Sequence, residues 1–126
     1  RNTKKVYFMI NELRIGNLIF QSGQITTIEN ISRSISDWER VNNKRLFDCT
    51  PIPLTEEWLL KFGFEKTKEN FLTYDLGKLS IYMPSFHYKK GRTYFNSWVI
   101  IEESPKTVHQ LQNLYFALTG EELTIK

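Results

Sequence analysis

Cysteine and histidine are almost missing from this chain. Cys49 alone among 126 residues cannot form an internal disulfide, and a single thiol fits a reducing compartment. His87 and His109 are the only histidines. No Cys-x-x-Cys or His-x-x-x-His spacing exists, so no zinc site of ordinary form is expected. The six glycines build neither Gly-x-Gly-x-x-Gly nor a phosphate-binding loop, which leaves nucleotide hydrolysis without support and no cofactor to expect. No apolar run approaches the roughly 18 residues of a membrane span. Val6 to Ile10 is too short for a signal-peptide core before Asn11 and Glu12 interrupt it. The expectation is a protein without membrane contact, at a cytoplasmic address, with residues 1–8 an appended or processed end and Met9 a natural start. Charge of either sign is barely in excess: 17 basic against 14 acidic residues gives +3, which favours polyanions only where the cations cluster. Repeats, low-complexity tracts and linkers are also missing, so residues 1–126 read as one domain.

Aromatic residues are plentiful, with nine Phe, six Tyr and three Trp, enough that some rings should be exposed as well as packed. A chain of this length removes roughly two-thirds of its unfolded surface from water. Its clearest element is a helix over 104–120. Ser104 is placed to cap it, Pro105 sits where a missing N–H costs nothing, and Gly120 supplies the left-handed residue that ends it. Val108, Leu111, Leu114, Tyr115 and Leu118 recur at helical spacing and need cover. A second, shorter helix follows Thr55, with Glu56 and Glu57 complementing its dipole and Gly63 stopping it after Lys61.

Two blocks carry strand patterns. Residues 5–31 alternate and then turn at Ser22-Gly23, while Gly16-Asn17 marks a bulge or bend. Residues 71–83 form a hairpin about Gly77-Lys78, ended by Pro84, and Tyr94 to Glu102 reads as one central strand because both its faces are apolar. Leu123 and Ile125 predict a short last strand. The segment 32–45 is polar, a loop with one or two helical turns. The expected fold is therefore α+β: an antiparallel sheet or partial barrel packed against the C-terminal amphipathic helix, with the short helix beside it.

Catalytic constellations are hard to assemble. Cys49 with His87 or His109 lacks any local signature of a nucleophile and base, and reads as an ordinary packed thiol. The doublets Glu56-Glu57, Glu102-Glu103 and Glu121-Glu122 diverge on helix or strand, so they make no acid/base pair. The best binding candidate is the segment 86–94. A hairpin tip bearing Lys89, Lys90 and Arg92 among His87, Tyr88 and Tyr94 offers cations for phosphates and rings for unpaired bases. A secondary basic patch is Arg40, Lys44 and Arg45, whose ordinary reading is a solvated charged face beside Asp37 and Glu39. His109, Gln112 and Phe116 lie away from Leu111 and Leu118 in helical projection, a solvent-facing stripe able to meet a partner.

Three segments, Asn-Glu-Leu-Arg-Ile-Gly-Asn at 11–17, Pro-Ile-Pro-Leu-Thr-Glu-Glu-Trp-Leu-Leu-Lys-Phe-Gly-Phe at 51–64 and Val-His-Gln-Leu-Gln-Asn-Leu-Tyr-Phe-Ala-Leu-Thr-Gly-Glu-Glu-Leu at 108–123, resemble a group of small, functionally uncharacterised proteins encoded by bacteriophages and prophages. The resemblance implies a mobile-element origin and the cytoplasm of a bacterial host. It carries no catalytic residues, and partner specificity would fall to the segments between, 18–50 and 65–107. With the missing reaction centre, it leads to the expectation of a non-enzymatic phage accessory protein that binds a host or foreign macromolecule. The most specific version is an inhibitor similar to anti-CRISPR proteins, contacting the effector of an RNA-guided nuclease or its guide RNA. The alternatives are an RNA- or single-stranded-DNA-binding phage protein without inhibitory role, a structural or replication component, and a small nuclease using His87 or His109.

Overall fold

The computed structural model describes residues 12–29, 38–40, 48–67, 72–85, 89–96, 99–101 and 103–126. Two compact units share the chain: one spans Arg1–Pro53 and Thr107–Glu122, the other Leu54–Lys106 and Leu123–Lys126. The fold is α+β, as composition and periodicity predict.

In the first unit, β1 (Leu18–Gln21), β2 (Gln24–Thr27) and β3 (Cys49–Thr50) form an antiparallel sheet in the order β2-β1-β3. Ser22 and Gly23 turn β1 into β2 with φ of 48° and 82°. Positive φ at both central residues is what a two-residue hairpin of matching twist requires. Leu13, Ile19, Ile28, Trp38 and Cys49 make a buried apolar cluster. Trp38 belongs to a helical stretch at 38–40, as the polar loop's reading allowed. The helix α2 (Val108–Thr119) packs on β1. It starts later than the sequence reading had it: Thr107, not Ser104, is its cap, its hydroxyl accepting from the Gln110 N–H at 3.3 Å. Val108 N–H donates to the Ile52 carbonyl, and a bridge between Pro53 and Thr107 fixes extended backbone just before the helix, where a cap residue belongs. Gly120 ends it at φ 75°, as expected.

In the second unit, α1 (Glu56–Lys61) is capped by Thr55, and Gly63 at φ 94° turns the chain away. Five antiparallel strands follow in linear order: β4 (Glu65–Lys66), β5 (Thr73–Leu76), β6 (Leu79–Tyr82), β7 (Arg92–Phe95) and β8 (Val99–Ile101). The sheet is open, not a barrel. The single central strand expected over 94–102 is in fact β7 and β8, which pair Phe95 with Val99. Asn96 takes φ 58° between them, a left-handed conformation that Asn tolerates and that breaks a strand. Residues 123–126 form no strand, contrary to expectation. Leu123 is buried instead, and Lys126 N–H donates to the Lys61 carbonyl.

Strand alternation divides the five-stranded sheet into two faces. Tyr74, Leu79, Ile81 and Thr93 are buried on one. Above it lies the start of α1, where Glu56 bonds Lys66 at 3.2 Å and the Lys66 ammonium sits 5.8 Å from the Tyr74 ring centre. The other face carries Ser80, Tyr82, Arg92 and Tyr94, all half-buried.

Candidate nucleic-acid-binding surface

The stripe His109, Gln112 and Phe116 was expected to face solvent, and for two of the three the structure corrects this. His109 and Gln112 are buried, at 0% and 2% exposure, while Phe116 is 40% exposed. The cause is a layer of hydrogen bonds that a hydropathy pattern does not register. Gln112 Nε2 donates to the Gly16 carbonyl at 3.2 Å, and its Oε1 accepts from the Leu18 N–H at 2.9 Å. Asn113 donates to the Glu12 carbonyl at 2.8 Å and accepts from both Asn17 and Arg14. Arg14 adds a salt bridge to Glu122 and lies 4.3 Å above the Phe116 ring. Thus residues 12–18 and 109–122 are the two halves of one network. Their polar residues hold α2 against the bend at Gly16-Asn17.

His109 is clamped in that network on both sides. Its Nε2 meets Glu12 Oε2 at 3.0 Å, and its Nδ1 meets the Thr107 hydroxyl at 3.3 Å. A carboxylate only accepts, so the Nε2–H donates to Glu12, and Nδ1 shares a hydrogen bond with the Thr107 hydroxyl. That hydroxyl is also the helix cap. Both ring nitrogens are thereby committed to structure. Cys49 lies in the apolar cluster of the first unit at 5% exposure, a packed thiol. Among the described residues, no three His, Cys, Asp or Glu side chains gather as a metal ion would need. No described helix is long and apolar enough to cross a membrane.

Of the segment 86–94, residues 89–91 lie in the β6–β7 connection, whereas Arg92 and Tyr94, expected at a hairpin tip, belong to β7 itself. His87 and Tyr88 lie outside the described residues, as do Lys44 and Arg45 of the secondary patch, whose Arg40 is exposed. Lys89 and Lys90 are exposed at the tip, with Lys90 Nζ 3.3 Å from Glu103. Arg92 and Tyr94 stand on the same face of β7. Across from Arg92 in register is Tyr82, which the sequence reading did not single out. Its ring meets Tyr94 edge to face, with centroids 5.3 Å apart and planes at 61°. The signal that could have found it is simple: in an alternating strand 79–83, Tyr82 points opposite to Leu79, Ile81 and the core.

Ser104, freed from capping duty, holds this tip in place. Its hydroxyl donates to the Tyr82 carbonyl at 2.8 Å and pairs with Thr93 Oγ1 at 3.1 Å, while its N–H reaches the Lys90 carbonyl at 3.4 Å. Gly91, at φ 73°, lies so close that a Cβ would stand 2.5 Å from the Tyr82 carbonyl oxygen and 2.8 Å from Ser104 Oγ. The cations are therefore presented on backbone fastened at three points. Two further groups lie on the ring-bearing face by register, Thr73 opposite Tyr82 and Asp75 opposite Ser80. Thr73 Oγ1 and Asp75 Oδ1 are buried and make no hydrogen bond.

No protein-family model matches the chain, and neither a curated protein nor a solved structure is significantly similar to it.

Proposed function

We propose that this is a non-enzymatic accessory protein that acts by binding, and that nucleic acid is contacted at the β6–β7 connection. The observation that carries this reading is that Arg92 shares one sheet face with Tyr82 and Tyr94, while the exposed Lys89 and Lys90 lie in the connection that leads into Arg92. Ammonium and guanidinium groups draw phosphates, and aromatic rings accept bases. The clamp by Ser104 and Gly91 supports it, since a contact surface ordered in advance loses less entropy on binding. The anti-defence version, an inhibitor acting on the guide RNA or effector of an RNA-guided nuclease, draws on the resemblance to phage-encoded proteins, as does the host cytoplasm as its address.

The test replaces Lys89, Lys90 and Arg92 by Glu, verifies folding by circular dichroism, and measures binding to a short RNA across a salt series. The expected outcome is loss of affinity and a flatter dependence on salt, because each neutralised phosphate releases counterions. Unchanged affinity and slope would remove the reading. An affinity pull-down from expressing cells, with and without nuclease treatment, separates guide RNA from the effector protein as the thing held.

A further inference from the structure

We infer that the surface takes single-stranded rather than duplex nucleic acid, and that Tyr82 is the residue on which a base stacks. This rests on the proposed nucleic-acid contact and names its substrate class. Duplex binding draws chiefly on cations and polar groups along the backbone, and a duplex hides the faces of its bases inside the stack. Here Arg92 shares a sheet face with two rings, with two exposed lysines just before it in the chain, and the rings offer stacking to bases that have left a stack. Tyr82 sits next to the tip, opposite Arg92 in register, and the edge-to-face contact with Tyr94 sets the two rings at an angle rather than in a closed sandwich. The phosphates of a strand whose base lies on Tyr82 fall toward Arg92 and the exposed Lys89.

A second observation points to a ligand independently. Thr73 lies directly across from Tyr82 on the same face, 5% exposed, and its hydroxyl has no hydrogen-bond partner. Asp75, two residues further along the strand and so on the same face, has an equally orphaned Oδ1. Directly opposed residues have Cβ atoms about 5 Å apart, and diagonal ones about 7–8 Å. A base on Tyr82 carries N–H groups, the kind of donor that these two oxygens lack within the protein. Unsatisfied buried acceptors are rare in native proteins and call for such an explanation.

The experiment measures fluorescence anisotropy with three labelled probes of about 12 nucleotides: a mixed-sequence RNA, the DNA of the same sequence, and the RNA duplex. Native protein is compared with Tyr82→Phe, Tyr82→Leu and Tyr82→Ala. At least one single-stranded probe is expected to bind more tightly than the duplex and to lose roughly 5- to 150-fold in Tyr82→Leu and Tyr82→Ala. Tyr82→Phe, which keeps the ring, should stay near native. Whichever strand shows this pattern identifies the sugar preferred. Tyr82→Leu keeps an apolar side chain in the strand, so it reports on stacking even where the alanine variant unfolds. The inference is overturned if Tyr82→Leu binds single strands as native does, or if the duplex loses as much. Should the Lys89→Glu, Lys90→Glu variant lose all probes while Tyr82→Leu loses none, the nucleic-acid reading stands and only the stacking role falls. Binding of no probe by native protein removes both.

Discussion

Gly91 shows how much depends on a single hydrogen atom. At φ 73° with Tyr82 and Ser104 against it, the position has room for no side chain, whereas Gly77, also at positive φ, faces open space. Gly91→Ala is expected to cost about 2–4 kcal/mol and Gly77→Ala about 1 kcal/mol, since the first adds a collision to the backbone strain that both share. Urea denaturation of the two variants side by side checks this. Residue scale is also where reading the sequence failed most instructively. His109 and Gln112 look like solvent-facing residues because hydropathy counts polarity and not the partners that satisfy it. Gln112 is buried only because Leu18 N–H and Gly16 C=O face it, and nothing local to 108–120 announces those partners. Gln112→Ala should therefore destabilise by about 2–3 kcal/mol, leaving two backbone groups without their bonds. A loss under about 0.5 kcal/mol would contradict the network described.

Among elements, the two helix starts make a useful pair. Thr55 was legible because a cap, two acids and an apolar stretch follow one another directly. For α2, Ser104-Pro105 offered an equally good local start, yet the bridge of Pro53 to Thr107 places extended backbone three residues later and tertiary context prevailed. The hairpins at 22–23 and 77–78 were legible through their glycines; the one at Asn96 carries no glycine, and the apolar residues on both sides of Asn96-Ser97 read as one strand. Where α1 meets the sheet, pH enters. The hydrogen bond to Glu56, the largest effect, raises the Lys66 pKa above the usual lysine range, and burial followed by the Glu56 hydrogen bond raises that of Tyr74. A group whose pKa is higher folded than unfolded stabilises below its unfolded value, and the contribution fades as pH climbs through the folded one. Both contributions are therefore intact below about pH 10 and fade as the pH rises beyond it, through the higher folded values. The urea midpoint should fall as the pH is raised above about 10, and Glu56→Gln should flatten that fall.

The whole molecule is two units sewn from one thread that passes between them three times. Nothing in composition or periodicity discloses this, because each crossing runs through ordinary polar or proline-containing chain and no linker marks it. Residues 123–126 hold the second unit at two points. Leu123 is 2% exposed in the second unit, and the Lys126 stem lies against Gly63. Leu123→Ala is expected to cost about 2–4 kcal/mol. Ending the chain at Glu122 should lower the thermal midpoint at least as far, measured by circular dichroism; an unchanged midpoint would refute the role given to the tail.

That stitching also sets a timetable for birth on the ribosome. The strands β1 to β3 emerge first but must wait for α2, whose Gln112 and Asn113 hold the bend at residues 12–18. Synthesis at about 5–20 residues per second makes the delay across 54–106 roughly 3 to 10 s. During that interval the early sheet has its turns but not its helix, and a nascent chain stalled before residue 107 would be a substrate for chaperones or proteases.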